Sequence, residues 1–150
     1  MRIGLDLDNT LVCYDELFLD EARNLKMIPA TWNGGKQAIR ARLMSQTGGS
    51  RNWQLLQGRV YGPRMCDASL FPGVARFLIR CRLRGDQLFV VSHKTRYGHF
   101  DDTRTPLREA ASHWMSSKGF FDASRFGLSE TNVYFCETRK EKIEKIDELE

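Results

Sequence analysis

The amino-acid sequence predicts an α/β fold built on a parallel sheet, with a small helical insert after the first strand. Three observations carry that prediction. Apolar runs at residues 2–7 (RIGLDL), 87–92 (QLFVVS) and 132–136 (NVYFC) alternate with segments of helical periodicity, the rhythm of a parallel sheet flanked by helices. The first run ends in acids, Asp6 and Asp8, which are costly to bury unless something pairs with them. Residues 13–71 break the strand–helix rhythm and read as mostly helical, which divides the chain into a core of residues 1–12 and 72–150 and an insert of 13–71. The 150 residues suit one domain, or one core with a small insert, and 41% hydrophobic with 28% charged residues is ordinary for a globular chain.

Each element has its own signals. In the insert, Tyr14–Leu25 and Lys36–Met44 read as helices, Ser45–Asn52 (SQTGGSRN) as a polar loop, and Arg51–Gln57 as a further short helix. A helix is predicted from Gly73 to Arg84: Pro72 suits its start, Gly85 its end, and Val74, Phe77, Leu78 and Cys81 form one apolar stripe. The next helix takes Thr105 as its cap, Pro106 as its first residue and Gly119 as its stop. The last begins near Thr138, which with Glu141 has capping-box spacing, and carries Ile143, Ile146 and Leu149 as its apolar stripe.

Charge and composition narrow the function classes. The net charge of +4 suits an anionic partner: a phosphorylated metabolite, nucleic acid or acidic lipid. No run reaches the ~18 apolar residues of a membrane span, and the opening MRIGLDLDNT lacks the apolar stretch of a signal peptide, so a cytoplasmic protein with no membrane partner is expected. Cys13, Cys66, Cys81 and Cys136 are too far apart for a CxxC clamp and read as buried free thiols.

The strongest chemical signal is Asp6-Leu7-Asp8-Asn9-Thr10. Residues two apart share a face of a strand, and ligands of parallel sheets bind beyond the carboxyl ends of the strands. Two carboxylates so close repel each other, which a Mg²⁺ ion would relieve. One carboxylate can attack phosphorus while the other moves protons.

With LDLDNT after an N-terminal apolar strand, the chain resembles the DxDxT phosphatases of the haloacid dehalogenase-like (HAD) superfamily. The resemblance implies that Asp6 is the nucleophile and a Mg²⁺ ligand, that Asp8 is the general acid/base and a metal ligand through its backbone carbonyl, and that Thr10 orients the loop. It implies that Ser92, ending FVVS, holds a phosphoryl oxygen. His93, Lys94 and Arg96 follow and either touch substrate or form a solvated basic turn. The resemblance also implies a lysine early in a later helix that offsets the phosphate charge; the tail offers Lys140, Lys142 and Lys145, of which Lys142 fits best and Lys140 is the alternative. The family's fourth motif, acids ending a further strand, has no match: Asp147-Glu148-Leu149-Glu150 continues the helical pattern, and Asp101-Asp102 has no apolar strand before it. The core sheet is therefore expected to be incomplete at its C-terminal end, with one side of the first strand unpaired and available for self-association. The insert matches the place of a cap. Its Arg40, Arg42, Arg51, Arg59 and Arg64 could meet an anionic leaving group, though most are expected to be solvated; Trp32, Trp53 and Tyr61 are expected to pack between cap helices rather than line a pocket.

The function expected is a Mg²⁺-dependent phosphomonoester hydrolase acting through an aspartyl-phosphate on a small phosphorylated metabolite. The alternatives are a non-catalytic binding module of the same fold, favoured by the missing motif, and a phosphatase of nucleic-acid ends, favoured only by the positive charge. No aromatic–basic RNA motif supports nucleic acid as the partner.

Overall fold

A computed structural model describes residues 1–149, so Glu150 lies outside the described residues. The chain is mixed α/β. Five short strands are β1 (Arg2–Leu5), β2 (Val12–Cys13), β3 (Ser69–Leu70), β4 (Gln87–His93) and β5 (Val133–Cys136). Six helices are α1 (Asp15–Asn24), α2 (Lys36–Met44), α3 (Gly49–Tyr61), α4 (Val74–Arg84), α5 (Leu107–Ser117) and α6 (Arg139–Leu149). The described residues fall into two compact units: 1–13 with 69–96 and 112–149, and 14–68 with 97–111. The second unit thus takes in residues 97–111, which the sequence pattern assigns to the core, and the boundary falls inside α5.

The first unit is a three-stranded parallel sheet in the order β1-β4-β5 with flanking helices. β4 is central, and Leu88–Ser92 are buried without interruption, as expected of a parallel strand covered on both faces. β1 alternates exposed and half-buried residues, and among the described strands it pairs only with β4. Its start is clamped: the Met1 amino group lies 3.1 Å from Asp86, and the Gln87 amide donates to the Met1 carbonyl at 2.8 Å. Hydrogen bonds from Arg84 and from the amino terminus hold the Asp86 carboxyl below the usual carboxylate range.

The helices of this unit end where the sequence says they should. Gly85 closes α4 at φ 70°, and the Asp86 amide reaches back to the Cys81 carbonyl at 2.9 Å. The stripe on α4 is narrower than predicted: Leu78 and Cys81 are buried, but Phe77 is exposed. At the head of α6 the Thr138 hydroxyl accepts the Glu141 amide at 3.1 Å, while the Glu141 carboxylate accepts the Glu137 amide at 2.9 Å, one residue earlier than a standard capping box. Trp114, Phe120 and Phe126 build a buried aromatic cluster. The apolar stripe of α6 is not buried: Ile143 is 50% and Ile146 42% exposed. α6 packs on β4 and β5, and a groove of about 560 Å³ runs beside it over β1, lined by Gly4, Asp6, Phe89, Val91, Lys142 and Ile146 among others.

The chain leaves and re-enters this unit through two paired segments. Val12 and Cys13 form an antiparallel pair with Leu70 and Ser69, and the Phe71 amide donates to the Leu11 carbonyl at 3.0 Å. The segments at either end of the insert are therefore zipped to each other, and residues 14–68 add no strand to the core sheet.

The second unit is helical. α3 is longer than predicted and absorbs part of the polar stretch read as a loop, starting at Gly49 rather than Arg51. The glycine pair makes this start possible. Gly48 has φ 74°, and a Cβ on Gly49 would sit 1.8 Å from the Leu43 carbonyl oxygen. Phe18 stacks on Trp53 at 5.3 Å and meets Tyr61 edge-on, and Tyr61 in turn meets Tyr14. Trp53 and Tyr61 are thus packing residues. Gly98 approaches Gly58 so closely that a Cβ on Gly98 would lie 2.5 Å from the Gly58 Cα, which seats the 97–104 loop on α3. Among the cysteines, Cys81 and Cys136 are buried as predicted, but Cys13 is half-buried and Cys66 is exposed on a 3-10 turn. Among the described residues no helix is long and apolar enough to cross a membrane.

Candidate active site

β1 ends at Leu5, so Asp6 is the first residue past the carboxyl end of the strand. Leu7 is fully buried and anchors the turn after it. Its carbonyl accepts the amides of Leu11 at 2.9 Å, Val12 at 3.1 Å and Thr10 at 3.4 Å, which curls residues 7–12 into a tight loop. Asn9 takes φ 57°, a left-handed conformation that Asn tolerates better than most residues. Asp6 accepts the Leu7 amide at 2.8 Å, and Asp8 forms an isolated bridge to Val12. The motif is therefore a shaped loop at the end of a parallel strand. Thr10 is exposed and contributes its amide to the loop.

Two lysines from distant parts of the chain meet the two aspartates. Lys142, in the first turn of α6, places Nζ 3.0 Å from Asp6 Oδ1. Lys140 points away: its side chain is 86% exposed and pairs with Glu144. Helix geometry separates them, because residues two apart lie on different faces. Lys94, just past the end of β4, places Nζ 3.1 Å from Asp8 Oδ1 and 3.0 Å from Oδ2. Its side chain is only 2% exposed.

Ser92 lies on β4, two residues beyond Val90, which pairs with Leu5 in the last rung of the β1 ladder. It is 1% exposed, and its hydroxyl oxygen has no hydrogen-bond partner. The parallel sheet puts the carboxyl ends of β1 and β4 on one edge, so Asp6, Asp8, Ser92 and Lys94 all follow from strand ends of the same sheet.

Two carboxylates and two ammonium groups pair here, Asp6 with Lys142 and Asp8 with Lys94, and each pair offsets the other's charge. Asp101 and Asp102 lie elsewhere, in the second unit. Asp101 is occupied by the Thr103 amide and hydroxyl, and Asp102 lies 3.9 Å from Arg59. The arginines of the insert have structural uses: Arg59 and Arg64 hold the buried Glu21 at 3.1 and 2.8 Å, while Arg40, Arg42 and Arg51 lie over Trp53, Trp32 and Phe100.

Lys94 is the residue whose role sequence reasoning leaves undecided. A Lys after a strand and beside His93 and Arg96 looks the same whether it is solvated or buried. Only its proximity to the Ser at the strand end points to it.

No protein-family model, curated protein or solved structure matches the chain. The chemistry therefore rests on the site alone. As donors for Mg²⁺ the chain has the Asp6 carboxylate and the Asp8 backbone carbonyl, and no group of three or more metal-ligating side chains occurs among the described residues. Mg²⁺ is commonly held by one or two carboxylates, with water and substrate phosphate completing its octahedron, so this donor set meets the minimum and no more.

Proposed function

We propose that the chain is a HAD-type phosphomonoester hydrolase that works through an aspartyl-phosphate on Asp6. The observation that supports the reading best is the pairing of the DxDxT aspartates with Lys142 and Lys94 beyond the end of a parallel sheet. Asp6 is the more exposed carboxylate, at 43%, and is the group a substrate can reach. Its free oxygen attacks phosphorus in line, and the P–O bond to the leaving group breaks. Asp8 in its protonated form, restored by the hydrolytic water at the end of each cycle, gives that proton to the departing oxygen. Water then attacks the same phosphorus, Asp8 takes its proton, and the bond to Asp6 breaks to release inorganic phosphate. Lys142 balances the charge that gathers on the phosphoryl oxygens, and the unpartnered Ser92 hydroxyl supplies a donor to one of them. Mg²⁺, held by Asp6 and Asp8, would supply further neutralisation of that charge. The substrate class is a small phosphorylated metabolite.

The test is phosphate release from a panel of small phosphomonoesters, with and without Mg²⁺, by the wild type and Asp6→Asn. The amide cannot form an acyl phosphate, so Asp6→Asn should release none while remaining folded. A second reading, a binding module without turnover, draws on the minimal metal donor set among the described residues. Saturable phosphate binding with no release by the wild type would select it.

A further inference from the structure

We propose that Lys94 is the residue that positions Asp8. The inference uses the phosphatase reading for the chemistry of Asp8, but the contact itself stands on geometry. Lys94 is fixed by the sheet. Its amide donates to the Cys136 carbonyl at 2.8 Å, continuing the β4–β5 ladder one residue past the strand. Asp8 sits in the loop that the Leu7 carbonyl and the Val12 bridge help to shape. The Lys94 ammonium takes both oxygens of Asp8, at 3.1 and 3.0 Å, so it sets the direction of the carboxylate as well as its place.

The burial of Lys94 shows what it can and cannot do. A lysine side chain 2% exposed is expensive to desolvate and is kept only where an anion compensates it. At that depth it offers almost no surface to a substrate, whereas Asp8, at 20%, keeps some. Lys94 is therefore a positioning residue, and misplacing a catalytic group by about 1 Å can cost about 100-fold in rate.

The experiment has two arms. In the first, the full chain is acetylated with trace acetic anhydride, and each lysine is quantified by mass spectrometry. Lys94 should label at least about tenfold more slowly than the exposed Lys140, and Asp8→Asn should remove much of that protection without altering the labelling of Lys140. Labelling of wild-type Lys94 at the rate of Lys140 overturns the proposal. In the second arm, Lys94→Met and Lys94→Arg are followed with p-nitrophenyl phosphate, whose leaving group needs no proton. Lys94→Met should show a burst of nitrophenol close to one per enzyme followed by turnover slowed about 100-fold, because only hydrolysis of the aspartyl-phosphate then depends on Asp8. Lys94→Arg should recover part of the steady rate. Unchanged turnover in Lys94→Met, or equal loss of burst and steady rate, overturns the proposal. A wild type that releases no phosphate from any ester overturns the phosphatase reading instead, and the labelling arm still decides whether Lys94 holds Asp8.

Discussion

Replacing Lys142 by Met separates a catalytic lysine from a structural one. The Lys142–Asp6 pair spans 3.0 Å, which in water alone would be worth ~1.4 kcal/mol and at an effective dielectric constant near 20 ~5.5 kcal/mol. Solvent decides where between these limits the pair falls. Asp6 is 43% and Lys142 20% exposed, so most of the attraction is screened, and ordering two side chains offsets much of the rest. The net contribution to stability should be that of a surface ion pair, about 0–1 kcal/mol. Catalysis weighs the same charge differently. A preorganised group facing developing charge on a transferring phosphoryl group is worth about 10²–10³ in rate. Lys142→Met should therefore unfold in urea within ~1 kcal/mol of the wild type while losing 10²–10³ in kcat for phosphate release. Lys140→Met, on the solvent face of the same helix, should change neither quantity measurably. Equal losses of rate in the two variants would refute the assignment. So would a Lys142→Met protein that loses several kcal/mol of stability, because the pair would then be structural.

Three further outcomes rest on particular contacts. Ser92→Ala removes a buried hydroxyl that has no partner, so thermal unfolding should show equal or slightly greater stability, while phosphate turnover falls; a clear loss of stability would show that the hydroxyl is satisfied in solution. Gly49→Ala forces a methyl group to within 1.8 Å of the Leu43 carbonyl oxygen, so the start of α3 must shift, and urea denaturation should record a loss of about 1–3 kcal/mol. The side of β1 that pairs with no strand among the described residues should support weak self-association by addition of a second copy. A side chain at Gly4 would meet nothing within 4 Å, so Gly4→Lys should abolish the association seen in sedimentation equilibrium without unfolding the chain; a wild type that stays monomeric at every concentration would refute the idea.

Local signals and tertiary contacts divided the work of specifying this protein. The three strands of the parallel sheet, the α4 stop at Gly85 and the α6 start at Thr138 were legible because each depends on neighbours within a turn or two: an apolar run, a residue that accepts positive φ, a hydroxyl three residues before an amide. The loop around Asp6 and Asp8 was legible for the same reason, since its shape comes from amides that reach back to Leu7 over a few residues. Everything that joins positions far apart required the folded chain. Local pattern ranked Lys142 above Lys140 without deciding between them, and it does not tell a buried Lys94 from a solvated one; the packing of α6 on the sheet and the extension of the β4–β5 ladder decide both. The start of α3 was misplaced because GG reads as a loop until one sees that no Cβ would fit beside Leu43. The exposed stripe of α6 and the departure of residues 97–111 from the core were hidden for a related reason: periodicity shows which side of a helix is apolar, not whether anything covers it, and a glycine contact such as Gly58–Gly98 leaves no pattern in a single sequence.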